Sequence, residues 1–132
     1  STLDRSSAAS DVYKRQINTL TETQADEKWF NRLNEIIQEN ISNTEFSVDQ
    51  LTRSVNMSRT LLYAKVKAVT GLTPNEFIRL VRLRKAAEYL AGNEYKINEI
   101  CYMVGFNSPS YFAKCFQNQF GVLPKDFINN TN

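Results

Sequence analysis

Residues 71–78 read GLTPNEFI and residues 121–128 read GVLPKDFI. Two such octets in one chain are either a helix-start signal that recurred by chance or the end of a duplicated unit. The comparison extends backwards. SRTLLYAKVKAVTGLTPNEFI (58–78) lies over SPSYFAKCFQNQFGVLPKDFI (108–128) without a gap. Ser58/Ser108, Leu62/Phe112, Val66/Phe116, Gly71/Gly121, Pro74/Pro124, Glu76/Asp126, Phe77/Phe127 and Ile78/Ile128 coincide. With a slip of one residue, VDQLTRSVNM (48–57) lies over INEICYMVGF (97–106). Chance recurrence of helix caps would not also align the apolar positions between them, so the chain carries a tandem duplication.

Each copy predicts a short helix, a tight turn at Asn56 or Gly105, a second helix, and a Gly-x-x-Pro step into a third. Ser47 with Gln50 is a capping-box signature, and Thr73-Pro74-Asn75-Glu76 combines a cap, a Pro at the first helical position and a Glu that reaches back. Ser58 caps the helix closed by Gly71, and the helix begun at Pro74 stops at Gly92-Asn93. Ahead of the duplication, Trp29, Leu33, Ile36, Ile37 and Ile41 form one stripe of an amphipathic helix that starts near Asp26. Inward stripes are expected at Leu62, Val66 and Val69 in the first copy, and at Phe112, Phe116 and Phe120 in the second. Tyr111 is counted with that second aromatic core, and Trp29 is expected to anchor the first helix on the first unit. No alternating strand pattern longer than a few residues occurs. The predicted fold is all-α, two tandem helix-turn-helix subdomains joined by a long central helix. The boundaries are 26–130 for the domain, 47–71 and 97–121 for the two helix-turn-helix units, 74–91 for the central helix and 124–129 for a terminal helix.

Residues 17–25 read as linker. Residues 1–16 are small and polar without apolar periodicity, and SSAASDVYKRQ (6–16) resembles the translation of a transposon adapter. The segment is read as an artefact or fusion scar, with a natural disordered arm as the alternative.

Among its 132 residues the chain has no His and two Cys, Cys101 and Cys115, each in an apolar segment that suits a reduced core thiol. There is no Ser–His or Cys–His pair and no His-containing zinc site, so no catalytic residue, metal or cofactor is expected. No apolar run reaches the roughly 18–20 residues of a membrane span. Charge is uneven. Residues 1–49 hold five Lys/Arg against nine Asp/Glu, whereas residues 50–132 hold eleven against five. Seven cations (Arg59, Lys65, Lys67, Arg79, Arg82, Arg84 and Lys85) stand between Ser58 and Lys85 with Glu76 the single acid. Such a run suits a polyanionic partner, and equally a solvated helix face.

Helix-turn-helix units place their second helix in the DNA major groove, but the geometry also serves purely structural roles. Two copies strengthen the DNA reading. A central helix of about 18 residues would be a rod of roughly 27 Å, able to hold two recognition helices about one DNA turn apart. On the outer side of the first of these helices lie Arg59, Thr60, Tyr63, Ala64 and Lys67. A helical protein-interaction module is the competing reading. It would expose Leu, Met or Phe on that face, which is instead basic and polar.

Residues 47–128 resemble the DNA-binding domain of the AraC/XylS family of bacterial transcription regulators. INEICYMVGFNSPSYFAKCFQNQFGVLPKDF carries the resemblance, with Ile100, Gly105, Phe106, Tyr111, Phe112, Phe116, Gly121 and Pro124 in the family's places. GLTPNEFI, followed by Arg82-Leu83 and Ala86, fits the family's linker helix. The resemblance implies a homeodomain-like fold and a cytoplasmic bacterial activator that binds double-stranded DNA and touches RNA polymerase. In finer style it is that of the output domain of hybrid two-component regulators, with dimerisation supplied by upstream domains. It implies base-facing positions at Thr60, Tyr63 and Ala64, with Arg59 facing a phosphate or a guanine, and at Pro109, Ser110, Ala113 and Lys114. Ser58, Lys67, Arg82, Arg84, Ser108 and Asn118 are the expected phosphate contacts, with Ser110 a further phosphate anchor, and Gln117 lies further along the helix from its base-facing positions.

Overall fold

The computed structural model describes residues 24–131, with side chains over 25–128, and every regular element among them is helical. The elements are α1 (Gln24–Glu39), α2 (Val48–Val55), α3 (Arg59–Thr70), α4 (Pro74–Gly92), α5 (Ile97–Met103), α6 (Pro109–Phe120) and α7 (Pro124–Thr131). The expected scar at 1–16 and residues 17–23 of the expected linker lie outside the described residues. Gln24 and Ala25, read as linker, are the first turn of α1.

Local chemistry places the helix ends. Ser58 Oγ accepts from the Leu61 N–H at 3.2 Å, and Ser108 Oγ accepts from the Tyr111 N–H at 3.2 Å. Thr73 and Glu76 complete a reciprocal box, the Glu76 N–H donating to Thr73 Oγ1 at 3.2 Å and the Thr73 N–H to Glu76 Oε1 at 2.9 Å. The turns use residues that tolerate left-handed backbone: Asn56 at φ 54° in the first unit and Gly105 at φ 92° in the second. The central helix runs one residue beyond the expected end and exits through Asn93 at φ 55°.

The central helix packs on α1 and α3 at one end and on α5, α6 and α7 at the other, so each unit has its own core. Phe30, Leu33, Ile36, Ile37, Leu51, Leu62, Val66 and Phe77 belong to the first. Leu83, Ala86, Ala87, Ile100, Phe112, Phe116 and Phe127 belong to the second. The offset of the repeat reaches further back than the sequence comparison: Leu33/Leu83, Ile36/Ala86 and Ile37/Ala87 are all buried. The second half of α4 thus does for the second unit what α1 does for the first.

Three side chains differ from expectation. Phe30, outside the expected stripe, is 1% exposed, while Trp29 is half-buried against the first core with the Lys65 ammonium 4.7 Å from its ring centroid. Ile41 lies past the end of α1 and packs against both cores. Tyr111, counted as core, is 49% exposed. On a helix it points about 100° away from its buried neighbour Phe112, and its hydroxyl accepts a bond from Arg79 Nη1 at 3.3 Å.

Candidate nucleic-acid interface

Helices α3 and α6 are the second helices of the two units, each held by a buried stripe and each turning a polar face outward. On α3, Leu62, Val66 and Val69 are buried, while Arg59, Thr60, Ala64 and Lys67 are exposed and Tyr63 is half-buried. Arg59 Nη1 lies 2.5 Å from Asp49 Oδ1 of α2, and its guanidinium carbon lies 5.6 Å from the Tyr63 ring centroid. Both partners of that ion pair are more than half exposed, so exchanging the carboxylate for another acceptor costs little.

On α6, Phe112 and Phe116 are buried, Phe120 is half-buried, Ser110, Lys114, Gln117 and Asn118 are exposed, and Ser108, Pro109 and Ala113 are half-buried. Ser108 Oγ and Ser110 Oγ are 3.2 Å apart at the start of the helix. Lys114 and Asn118 border a shallow cleft of about 310 Å³ that Arg79 and Tyr111 also line. Helical spacing on α4 alone does not reveal the neighbour of Arg79. The residue that brings it to α6 is Tyr111, 32 positions away.

Two expected phosphate contacts on the central helix are placed differently. Arg82 is 7% exposed, inside the domain rather than on its surface. Its Nη1 donates to the carbonyls of Ile41 at 2.6 Å and Val104 at 2.8 Å, and its Nη2 to that of Asn43 at 3.2 Å. Burial lowers its pKa, yet a guanidinium starts so high that it remains a cation at neutral pH. Arg84 is mostly covered, with Nη1 3.2 Å from Glu88 Oε2 one turn along the same helix, and Lys85 pairs with Glu88 Oε1 at 3.6 Å. Lys65 pairs with Asp26 at 3.7 Å. The cationic run of the sequence is therefore in large part structural, whereas Lys67 and Lys114 stand exposed on the outer faces of α3 and α6.

The thiols of Cys101 and Cys115 are free and buried. Burial raises the Cys101 pKa, and its Sγ faces the Phe106 carbonyl oxygen at 3.8 Å, the environment of a packed thiol rather than a nucleophile. Among the described residues, no His, Cys, Asp or Glu group could hold a metal ion, and no helix is long and apolar enough to cross a membrane.

Two stacked helix-turn-helix units on one central helix define a class, and a family model described as a helix-turn-helix domain matches residues 51–130. The chain belongs to the AraC/XylS family of transcription regulators. Histidine kinase P4 of Formosa agariphila is 41% identical over 110 residues, covering 83% of this chain and 8% of that protein. Further curated relatives are transcription regulators, of which the chain spans 33% of the length. Among solved structures, the C-terminal domain of AraT, a response regulator from Geobacillus stearothermophilus, superimposes with a TM-score of 0.70 at 26% identity, covering 77% of this chain and 84% of that one. The DNA-binding domain of AdpA, solved in complex with a target DNA, has the same fold, with a TM-score of 0.67 at 24% identity and coverage of 75% and 91%.

Proposed function

We propose that this domain reads double-stranded DNA at two successive major-groove segments, one through α3 and one through α6. The observation that carries this is the pair of equivalent helices, each with its apolar stripe buried and with exposed polar side chains on its outer face, Arg59, Thr60 and Lys67 on α3 and Ser110, Lys114, Gln117 and Asn118 on α6. A protein-docking pair would expose apolar faces. Leu61 is the one large apolar side chain on α3 that is well exposed, at 59%.

In this reading Thr60, Tyr63 and Ala64 face bases and Arg59 swings from Asp49 to a guanine or a phosphate. Pro109, Ser110, Ala113 and Lys114 face bases from α6. Ser58, Lys67, Ser108 and Asn118 bind phosphates, the two serines beside the first-turn N–H groups of their helices. Arg79 joins them from the central helix. With a single charged group among the base-facing residues of α6, the second segment is positioned more than it is read. The rod between the units is 19 residues, about 28 Å long. That length suits contacts about one DNA turn apart on one face of the duplex.

The whole regulator is proposed to be a cytoplasmic bacterial activator that also contacts RNA polymerase. The match to a small fraction of a histidine kinase and the likeness to a response-regulator domain support a hybrid two-component parent, in which upstream domains supply dimerisation.

Selection of genomic fragments by the purified domain at two salt concentrations tests the reading. The expected result is a motif with two informative blocks about one turn apart, with affinity falling steeply as salt rises. An absence of DNA binding even at low salt would overturn it in favour of the interaction module.

A further inference from the structure

Arg82 is the buried charged side chain among the described residues, and its bonds fall on both sides of the joint between the units. Ile41 and Asn43 belong to the segment that leaves α1 in the first unit. Val104 ends α5 in the second unit, directly before the left-handed Gly105 that aims the chain into α6. The guanidinium of Arg82 thus ties the exit of one unit to the turn of the other, through charge-assisted bonds to carbonyls. The joint is built around this group. A Cβ on Gly105 would lie 1.4 Å from Arg82 Nη1 and 2.4 Å from the Ile41 carbonyl oxygen. The Ile41 side chain packs against both cores at the same place.

The repeat supplies an internal comparison. Arg32 occupies in α1 the position that Arg82 occupies in α4, and it is exposed. The same residue type at the same register is on the surface where no unit precedes it in the described structure, and buried where one does. Helix packing alone therefore does not require it.

We propose that Arg82 is a positioning residue that sets the spacing and relative orientation of α3 and α6, and so the spacing of the two DNA segments the domain accepts. The inference rests on the two-helix reading above. Its physical content is bivalency. A rigid joint concentrates the second helix at one place on the duplex, whereas a loose joint spreads it.

The test compares Arg82→Met and Arg82→Lys with the control Arg32→Met, in the whole chain. Without DNA, residual dipolar couplings of the two units should fit one common alignment in the wild type and in Arg32→Met. In Arg82→Met each unit should keep its own fold while the two no longer share one alignment. Arg82→Lys, which keeps the charge but not the planar fork, should fall between. On the selected motif, changing the spacer by two base pairs should cost the wild type roughly a hundredfold, and the Arg82→Met variant several-fold less, with its best affinity reduced. Unchanged alignment and an unchanged spacer profile in Arg82→Met would overturn the proposal. So would loss of the second unit's fold in Arg82→Lys, which would make Arg82 a residue of core stability. A wild type that binds no DNA, with the expected split in alignment, would sink the two-helix reading alone.

Discussion

The two units reach one fold with opposite distributions of bulk. In the first core, α1 contributes Ile36 and Ile37 and α3 contributes Leu62 and Val66. At the equivalent places in the second, α4 contributes Ala86 and Ala87 against Phe112 and Phe116 of α6. All eight are buried, with the bulk on α1 and α3 together in the first core and concentrated on α6 in the second. The second core adds aromatic contacts that the first does not have at these positions. Phe116 lies 4.6 Å from Phe120 and 5.4 Å from Phe127 between ring centroids. Between the duplicated units the helix that carries the larger side chains has changed.

Removing bulk from its concentrated position should therefore have the largest effect. Phe116→Ala should destabilise the second unit by about 3–5 kcal/mol, and Val66→Ala at the matching place should cost the first about 2 kcal/mol. Urea unfolding followed by hydrogen exchange in each unit separates the two. Equal losses would mean that the cores are not organised around different helices. Adding bulk sharpens the comparison. Ala86→Ile should overpack the second core at a cost of about 1–3 kcal/mol. The double variant Ala86→Ile with Phe112→Leu copies the first unit's pattern and should recover much of that loss. Strict additivity in the double variant would break the idea of exchanged volume.

The outer faces differ as well. Lys67→Ala should weaken DNA binding about equally across sequences and reduce the salt slope by about 1, as for a phosphate contact. A change of sequence preference instead would move Lys67 among the base-facing residues.

How much of this was legible in the sequence follows from what kind of signal each feature leaves. The helices were legible because caps, turns and apolar stripes are local. Ser58, Thr73, Asn56 and Gly105 each announce their role within a few residues. The duplication doubled every such signal and gave the fold almost whole. Phe30 and Tyr111 were misplaced because a stripe fixes a face only to within one residue on either side. Which of two adjacent aromatics turns inward depends on the partner helix. Arg82 was the deepest miss. A cation on a long helix in a basic run reads as surface, and its three carbonyl partners lie 22 to 41 positions away in sequence. A hint was present in Gly105, which the tight turn already explained, so its second task of making room for the guanidinium stayed hidden.

The smallest effects belong to the matched Pro-opened helices α4 and α7. Thr73 and Glu76 form a full box at the start of α4, while in the repeat Leu123 and Asp126 stand at those places ahead of α7. Thr73→Ala should cost about 1 kcal/mol. Glu76 adds a pH dependence. Its bond from the Thr73 backbone N–H, followed by that with the Thr73 side chain, holds its pKa below the ordinary 4.5. A carboxylate whose pKa is lowered by folding stabilises fully above its unfolded value. That contribution is lost as pH falls through the lower folded value. Glu76→Gln keeps an acceptor for the box but not the charge at the positive end of the helix. The wild type should therefore melt above Glu76→Gln at neutral pH, and the gap should close as pH falls through the lowered folded value. A gap that stayed constant over that range would assign the stabilisation to the shape of the box and not to the charge. The start of α4 would then differ from that of α7 by hydrogen bonding alone.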